Sequence, residues 1–139
     1  MPVNMAVLLI PNSDITIYNK YIENRVEKYQ RFEVLAVVWQ ATSAISRAKE
    51  QVASNSALIM IPFALGTEYQ KPKAWQVNRA GWTLQEGDII TRGIITEEID
   101  TEYTISNLRS DYDDVVMISS IGAMDEGSAN VQHWEVNCK

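Results

Sequence analysis

The chain has 139 residues, 46% of them hydrophobic, with 12 Lys and Arg against 18 Asp and Glu and a formal charge of −6. Such a length suits one domain with one core, and the acidic balance argues against stable binding of nucleic-acid phosphates. Cys138 is the only cysteine, so a disulfide framework is excluded, and no stretch approaches the roughly 18 apolar residues of a membrane helix.

Residues 1–13 form an N-terminal segment in which Met5 to Ile10 is apolar. That run is too short for a signal-peptide core, and no basic residue precedes it. A soluble protein of one domain, 1–139, is expected. From Ile15 to Tyr21 apolar and polar residues alternate as in a strand, and Glu23-Asn24-Arg25 can turn the chain. Tyr29 to Gln40 is rich in β-branched and aromatic residues and predicts a second strand. Ala41, Ala44, Ile45, Ala48 and Val52 then recur at helical spacing, which predicts a short helix over 43–53.

Ser56 to Phe63 is a nearly continuous apolar run, read as a strand buried on both faces, with Pro62 at its end or at an edge. Residues 64–81 lose all periodicity and predict a long loop that adds little to the core and is mobile in an isolated subunit. Beyond it, Ile89 to Thr91, Ile94 to Ile99, Val115 to Ile121 and Val131 to Val136 carry strand character. Gly and Asp turns separate them, and Tyr103 to Tyr112 is mixed. Strands 115–121 and 131–136 are expected in one sheet. The fold class is mainly β, a small antiparallel β-barrel or sandwich with one short helix and a long loop.

Nothing in the residue pattern points to catalysis, a metal or a cofactor. His133 is the only histidine, too few with one terminal cysteine for an ordinary zinc site, and it is expected to share a strand face with Val131 and Glu135. Ser128 lies in a turn without a nucleophile elbow. Glu97, Glu98, Asp100, Asp111, Asp113 and Asp114 could supply paired carboxylates for a small hydrolase, but turn-forming Asp beside a strand is the simpler reading. Four tryptophans and six tyrosines could stack bases in an OB-like single-strand binding module, a reading the acidity disfavours.

Three patterns go further. Gly87-Asp88-Ile89 stands with Gly93; Leu108 precedes Tyr112-Asp113-Asp114-Val115, Ile118 and Ser120; Gly127-Ser128 precedes Gln132 to Val136. In this order they resemble a family of short head-to-tail connector proteins of tailed phages and prophages of Gram-positive bacteria. The resemblance covers nearly the whole chain from Asp14 onward. It departs at Asn137-Cys138-Lys139, where the family often has Gly-Gly-Lys, and in the alanine-rich stretch 41–53.

The resemblance implies a virion structural protein of the phage neck and no enzyme. It implies a homo-oligomeric stopper ring between a portal or adaptor protein above and a tail protein below, assembled in the host cytoplasm. A tail terminator or upper adaptor is the alternative within that class. Packaged double-stranded DNA would pass through without specific binding, past a wall whose negative charge offers phosphates no sites. Tyr69, Lys71, Lys73, Trp75 and Arg79, in 64–81, are the candidates for contacts with the channel or a neighbouring ring.

Overall fold

The fold was analysed in a computed structural model, which describes residues 10–41 and 56–139. The helix expected over 43–53 and most of the N-terminal segment lie outside the described residues. Six strands form one closed antiparallel barrel: β1 (Ser13–Glu23), β2 (Val26–Ala41), β3 (Ala57–Pro62), β4 (Ile89–Arg92), β5 (Val115–Met124) and β6 (His133–Cys138). Around the barrel the order is β1-β2-β3-β6-β5-β4, so β5 and β6 are neighbours in one sheet.

The period of two in the sequence sorts side chains to the two faces. Ile15 and Ile17 of β1, Ile59 and Ile61 of β3, Ile90 of β4 and Val136 of β6 fill the interior. β3 is buried on that face only, since Leu58, Met60 and Pro62 are half-exposed outside. The expectation of burial on both faces therefore fails: the outer face of β3 has too little covering it. Pro62 does end the strand, where its missing N–H breaks no ladder.

Two irregularities reset which face a residue takes. Between Ser13 and Ile15 the β1–β2 register shifts, and Ala36 sits at φ 68° with its N–H donated to Asp14 Oδ1 at 3.0 Å. Between Ile118 and Ser120 the β5–β6 register shifts as well. Strict alternation would put Ile121 with Val115 and Met117, but it packs instead against the interior with Val116 and Ile118.

At Gly93, φ +96°, the chain leaves the sheet. The segment 94–99 is therefore not a strand, although its isoleucines suggested one. Its backbone is held by side chains of the barrel. Thr16 Oγ1 donates to the Gly93 carbonyl at 2.8 Å and accepts from Ile95 N–H at 2.9 Å, while Tyr18 Oη donates to the Glu97 carbonyl at 2.8 Å. A short helix, α2 (Ile105–Asp111), follows, started by a reciprocal Thr104–Asn107 capping box. Its Leu108 is fully buried with Ile95 against the outer faces of Tyr18, Ile89 and Val115. The barrel thus has an inner core and, across β1, β4 and β5, a second outer one.

Ala36 pays a backbone cost of about 1–2 kcal/mol for its left-handed conformation, part of which glycine recovers against its greater freedom when unfolded. Ala36→Gly is expected to raise stability by about 0.5–1 kcal/mol, read as a shift in urea midpoint at unchanged slope.

Candidate interaction surface at the plugged end of the barrel

β1 and β2 outrun their neighbours. β4 pairs with β1 only over Ile15–Tyr18, and β3 pairs with β2 only over Val38–Ala41, so the hairpin around Asn24-Arg25 projects beyond the barrel mouth. Both turn residues have positive φ, 54° and 65°, as a two-residue hairpin turn matched to strand twist requires.

The segment 64–81 fills the space beside that hairpin, and it is a packed unit, not the expected loop. A 3-10 helix (Phe63–Glu68) leads to α1 (Pro72–Asn78), and Tyr69 and Trp82 bridge in parallel. Gln70 N–H donates to the Trp82 carbonyl at 2.9 Å and Trp82 N–H to the Glu68 carbonyl at 3.1 Å. Gly81 is required at this crossing, because at φ +70° a Cβ would lie 1.9 Å from the Glu68 carbonyl oxygen. Phe63, Tyr69, Trp82 and Trp134 form a run of aromatic contacts, with ring centroids 4.5–5.6 Å apart, that closes the mouth.

The five sequence candidates divide. Trp75 is fully buried: it meets Tyr21 edge-on at 6.1 Å, and its Nε1 donates to the Gly81 carbonyl at 3.3 Å. Tyr69 belongs to the aromatic closure, and burial raises its hydroxyl pKa. Arg79 ends α1 in a left-handed conformation, stacks its guanidinium 4.4 Å over Tyr21 and accepts Gln30 Nε2 on its carbonyl at 2.8 Å. These three hold the plug in place. Lys71 and Lys73 are exposed and have no ion pair among the described residues. Sequence reasoning missed the exposed apolar side chains at this end, Val77 on α1 (85% exposed) and, on the hairpin, Ile22 (65%) and Val26 (51%). A solvent-facing apolar residue in a strand pattern gives no signal of its own until the strand is seen to project.

A buried carboxylate fixes this end. Asp88 has no solvent exposure, and its oxygens accept from Lys20 N–H at 2.9 Å, Asn19 Nδ2 at 2.7 Å, and Gln85 N–H and Nε2 at 3.1 and 3.0 Å. Asn19 in turn donates to the Thr83 carbonyl and accepts from Thr83 N–H. Burial outweighs these donors and pushes the Asp88 carboxyl up to about 6.

Several further titratable groups are engaged in structure, whereas the Glu98, Asp113 and Asp114 side chains have no hydrogen-bond or ion-pair partner among the described residues. His133 Nδ1 lies 2.8 Å from the Val131 carbonyl and Nε2 3.2 Å from Glu135. It shares a strand face with Glu135, but Val131, expected on the same strand, lies in the 3-10 helix Ala129–Val131 that precedes β6. Tyr112 Oη donates to Glu97 and Tyr103 Oη to Asp111, both at 2.8 Å. Burial pushes the Cys138 thiol up to about 12, which holds it protonated at neutral pH. Among the described residues no three of His, Cys, Asp and Glu gather to hold a metal ion.

Two outcomes are expected. Trp75→Ala empties a fully buried site and should cost about 3–5 kcal/mol in chemical unfolding. Because the folded Asp88 carboxyl titrates near 6 and an unfolded one near 3.8, the folded chain holds an extra proton between those values. The contribution of Asp88 is thus fully present below about pH 4 and falls by up to about 1.4 kcal/mol per unit as pH rises toward 6. Wild type should gain stability relative to Asp88→Asn as pH is lowered from 7 to 4; a constant difference would contradict this.

No curated protein and no solved structure matches the chain. The model of a family of unknown function (DUF6751) matches residues 10–139, and the chain belongs to that family.

Proposed function

We propose that this protein is a virion structural component of a tailed-phage neck, a stopper ring that joins the portal assembly to the tail and retains packaged DNA. The observation that carries the reading is the ordered set of patterns from Gly87-Asp88-Ile89 to Gln132–Val136, together with where they fall. Gly87-Asp88 and Gly93 bound β4, Tyr112-Asp113-Asp114 leads into β5, and Gln132–Val136 enters β6. These residues, which carry the resemblance, thus sit on strands and turns of the barrel.

The plugged end supports assembly. On α1 Val77 is exposed one turn from Lys73, and on the hairpin Ile22 and Val26 are exposed on opposite faces, in a protein whose net charge is negative. In a ring this surface meets a neighbouring copy or an adjacent ring. Tyr69, Trp75 and Arg79 then act by holding the plug, and Lys71 and Lys73 by contact. The net negative charge around a conduit leaves passing phosphates without binding sites.

Deleting the gene from the phage or prophage that encodes it should give heads that have lost DNA or carry no tails in negative-stain images. Restoring a chain with Lys71→Glu and Lys73→Glu should return folded protein but few joined particles. Normal infectious particles from the deletion would refute the proposal.

A further inference from the structure

Among the described residues, the projecting hairpin leaves one strand edge without a neighbour. In an antiparallel ladder, alternate residues turn both N–H and C=O toward the same neighbour. On β1, Tyr18 faces β4 and Lys20 N–H goes to Asp88, so the even residues point away from β2. Their partners across the ladder, Glu27, Tyr29, Arg31 and Glu33, therefore point away from β1. β3 reaches β2 only from Val38 onward. Among the described residues, nothing accepts or donates a backbone hydrogen bond along this edge. The Asn24-Arg25 turn bounds it at one end and the irregularity at Ala36 at the other.

We propose that this edge pairs with the same edge of a second copy of the chain, antiparallel, about a two-fold axis through Phe32. The charges select the partner and the register. With the axis at Phe32, Arg31 stands opposite Glu33 of the second copy and Glu33 opposite its Arg31, while Tyr29 stands opposite Leu35, which is 53% exposed in the single chain. Moving the axis to Arg31 or to Glu33 sets like charges against each other, and moving it to Gln30 sets Glu27 against Glu33. Within one chain Arg31 already bonds Glu33, so pairing exchanges the internal ion pair of each copy, two in all, for two across the interface, and the charges act on register and partner choice more than on strength. A closed two-fold pair also removes an edge that would otherwise accept any extended chain.

This inference does not rest on the neck reading. A two-fold dimer is not the repeat of a cyclic ring, so it describes the free protein, and it would have to open before a ring closed. Particle phenotypes test the neck reading and leave the dimer untouched.

The test is sedimentation velocity on the full chain from about 1 to 100 µM, a range that brackets micromolar association. Wild type should pass from monomer to dimer. Glu33→Arg and Arg31→Glu, each with wild-type circular dichroism, should each weaken the dimer at least about 10-fold, since each places like charges together twice. An equimolar mixture of the two should dimerise, because every pair across the interface is then of opposite charge. If Arg31→Glu fails to fold, having lost its contact with the Ile95 carbonyl, Glu33→Gln serves in its place: it removes the attraction without setting like charges together, and its dimer should be weaker than wild type and stronger than that of Glu33→Arg. A wild type that stays monomeric, a dimer indifferent to these exchanges, or a larger oligomer that forms without them would overturn the proposal.

Discussion

A carboxylate removed from water must be met by donors, and Asp88 is met by groups from two separate segments. The consequence is geometric. Lys20 N–H is taken by a side chain at the point where a further residue of β4 would have paired, so the β1–β4 ladder stops at Tyr18 and β1 continues without it. Asn19 reaches from the same place to both polar groups of the Thr83 backbone, which sets Trp82 at the barrel mouth. Trp82 then receives Tyr69 and Trp134, and the plug is seated. Gly87, at φ +93°, gives the turn that aims Asp88 inward. The Gly-Asp pattern is thus a structural instruction, and the hairpin's projection follows from it.

The same economy explains the outer layer. Six strands close a barrel too small to bury both faces, so Tyr18, Ile89 and Val115 need cover from outside. The chain supplies it by leaving the sheet at Gly93, where Thr16 satisfies the first backbone groups it exposes. The side chains that make the clip, Thr16 and Tyr18, are the outward residues of β1. Inner and outer cores are therefore built on one strand, and β1 is the element both layers share.

Much of the barrel was legible because a strand with a buried face writes its pattern in the sequence: β1, most of β2, β3, β4 and β5 fall where alternation or apolar and β-branched density placed them, and β6 lies two residues later than 131–136 because Val131 belongs to a 3-10 helix. The failures have local causes. Ile94 to Ile99 has the composition of a strand, but it covers a sheet instead of joining one, and composition does not distinguish the two. Ile121 changes face because a register shift precedes it, which alternation alone does not show. The plug was invisible because α1 is seven residues with only Trp75 buried, too short for a periodic stripe. Its Lys, Gln and Asn read as loop. Of the site candidates, Tyr69, Trp75 and Arg79 drew notice as aromatic and basic residues in a polar stretch, yet their chemistry is spent inside the fold.

Charge placement completes the case for the plugged end. On the hairpin two of the basic groups are answered locally, Lys28 by Glu23 at 2.8 Å and Lys20 by Glu27 at 4.0 Å, while Arg25 at the turn has no ion pair among the described residues. Pairs so exposed stabilise little, but they cancel the local field. On α1, Lys71 and Lys73 have no such partner among the described residues, and Val77 stands bare beside them. A surface with unanswered positive charge and an apolar centre is complementary to an acidic neighbour, and the rest of this chain is acidic. Under the neck proposal this end would meet an acidic surface of a neighbouring copy or of an adjacent ring. Such a contact is heterologous, and its electrostatic part weakens as salt rises, whereas strand pairing along β2 is carried chiefly by main-chain hydrogen bonds.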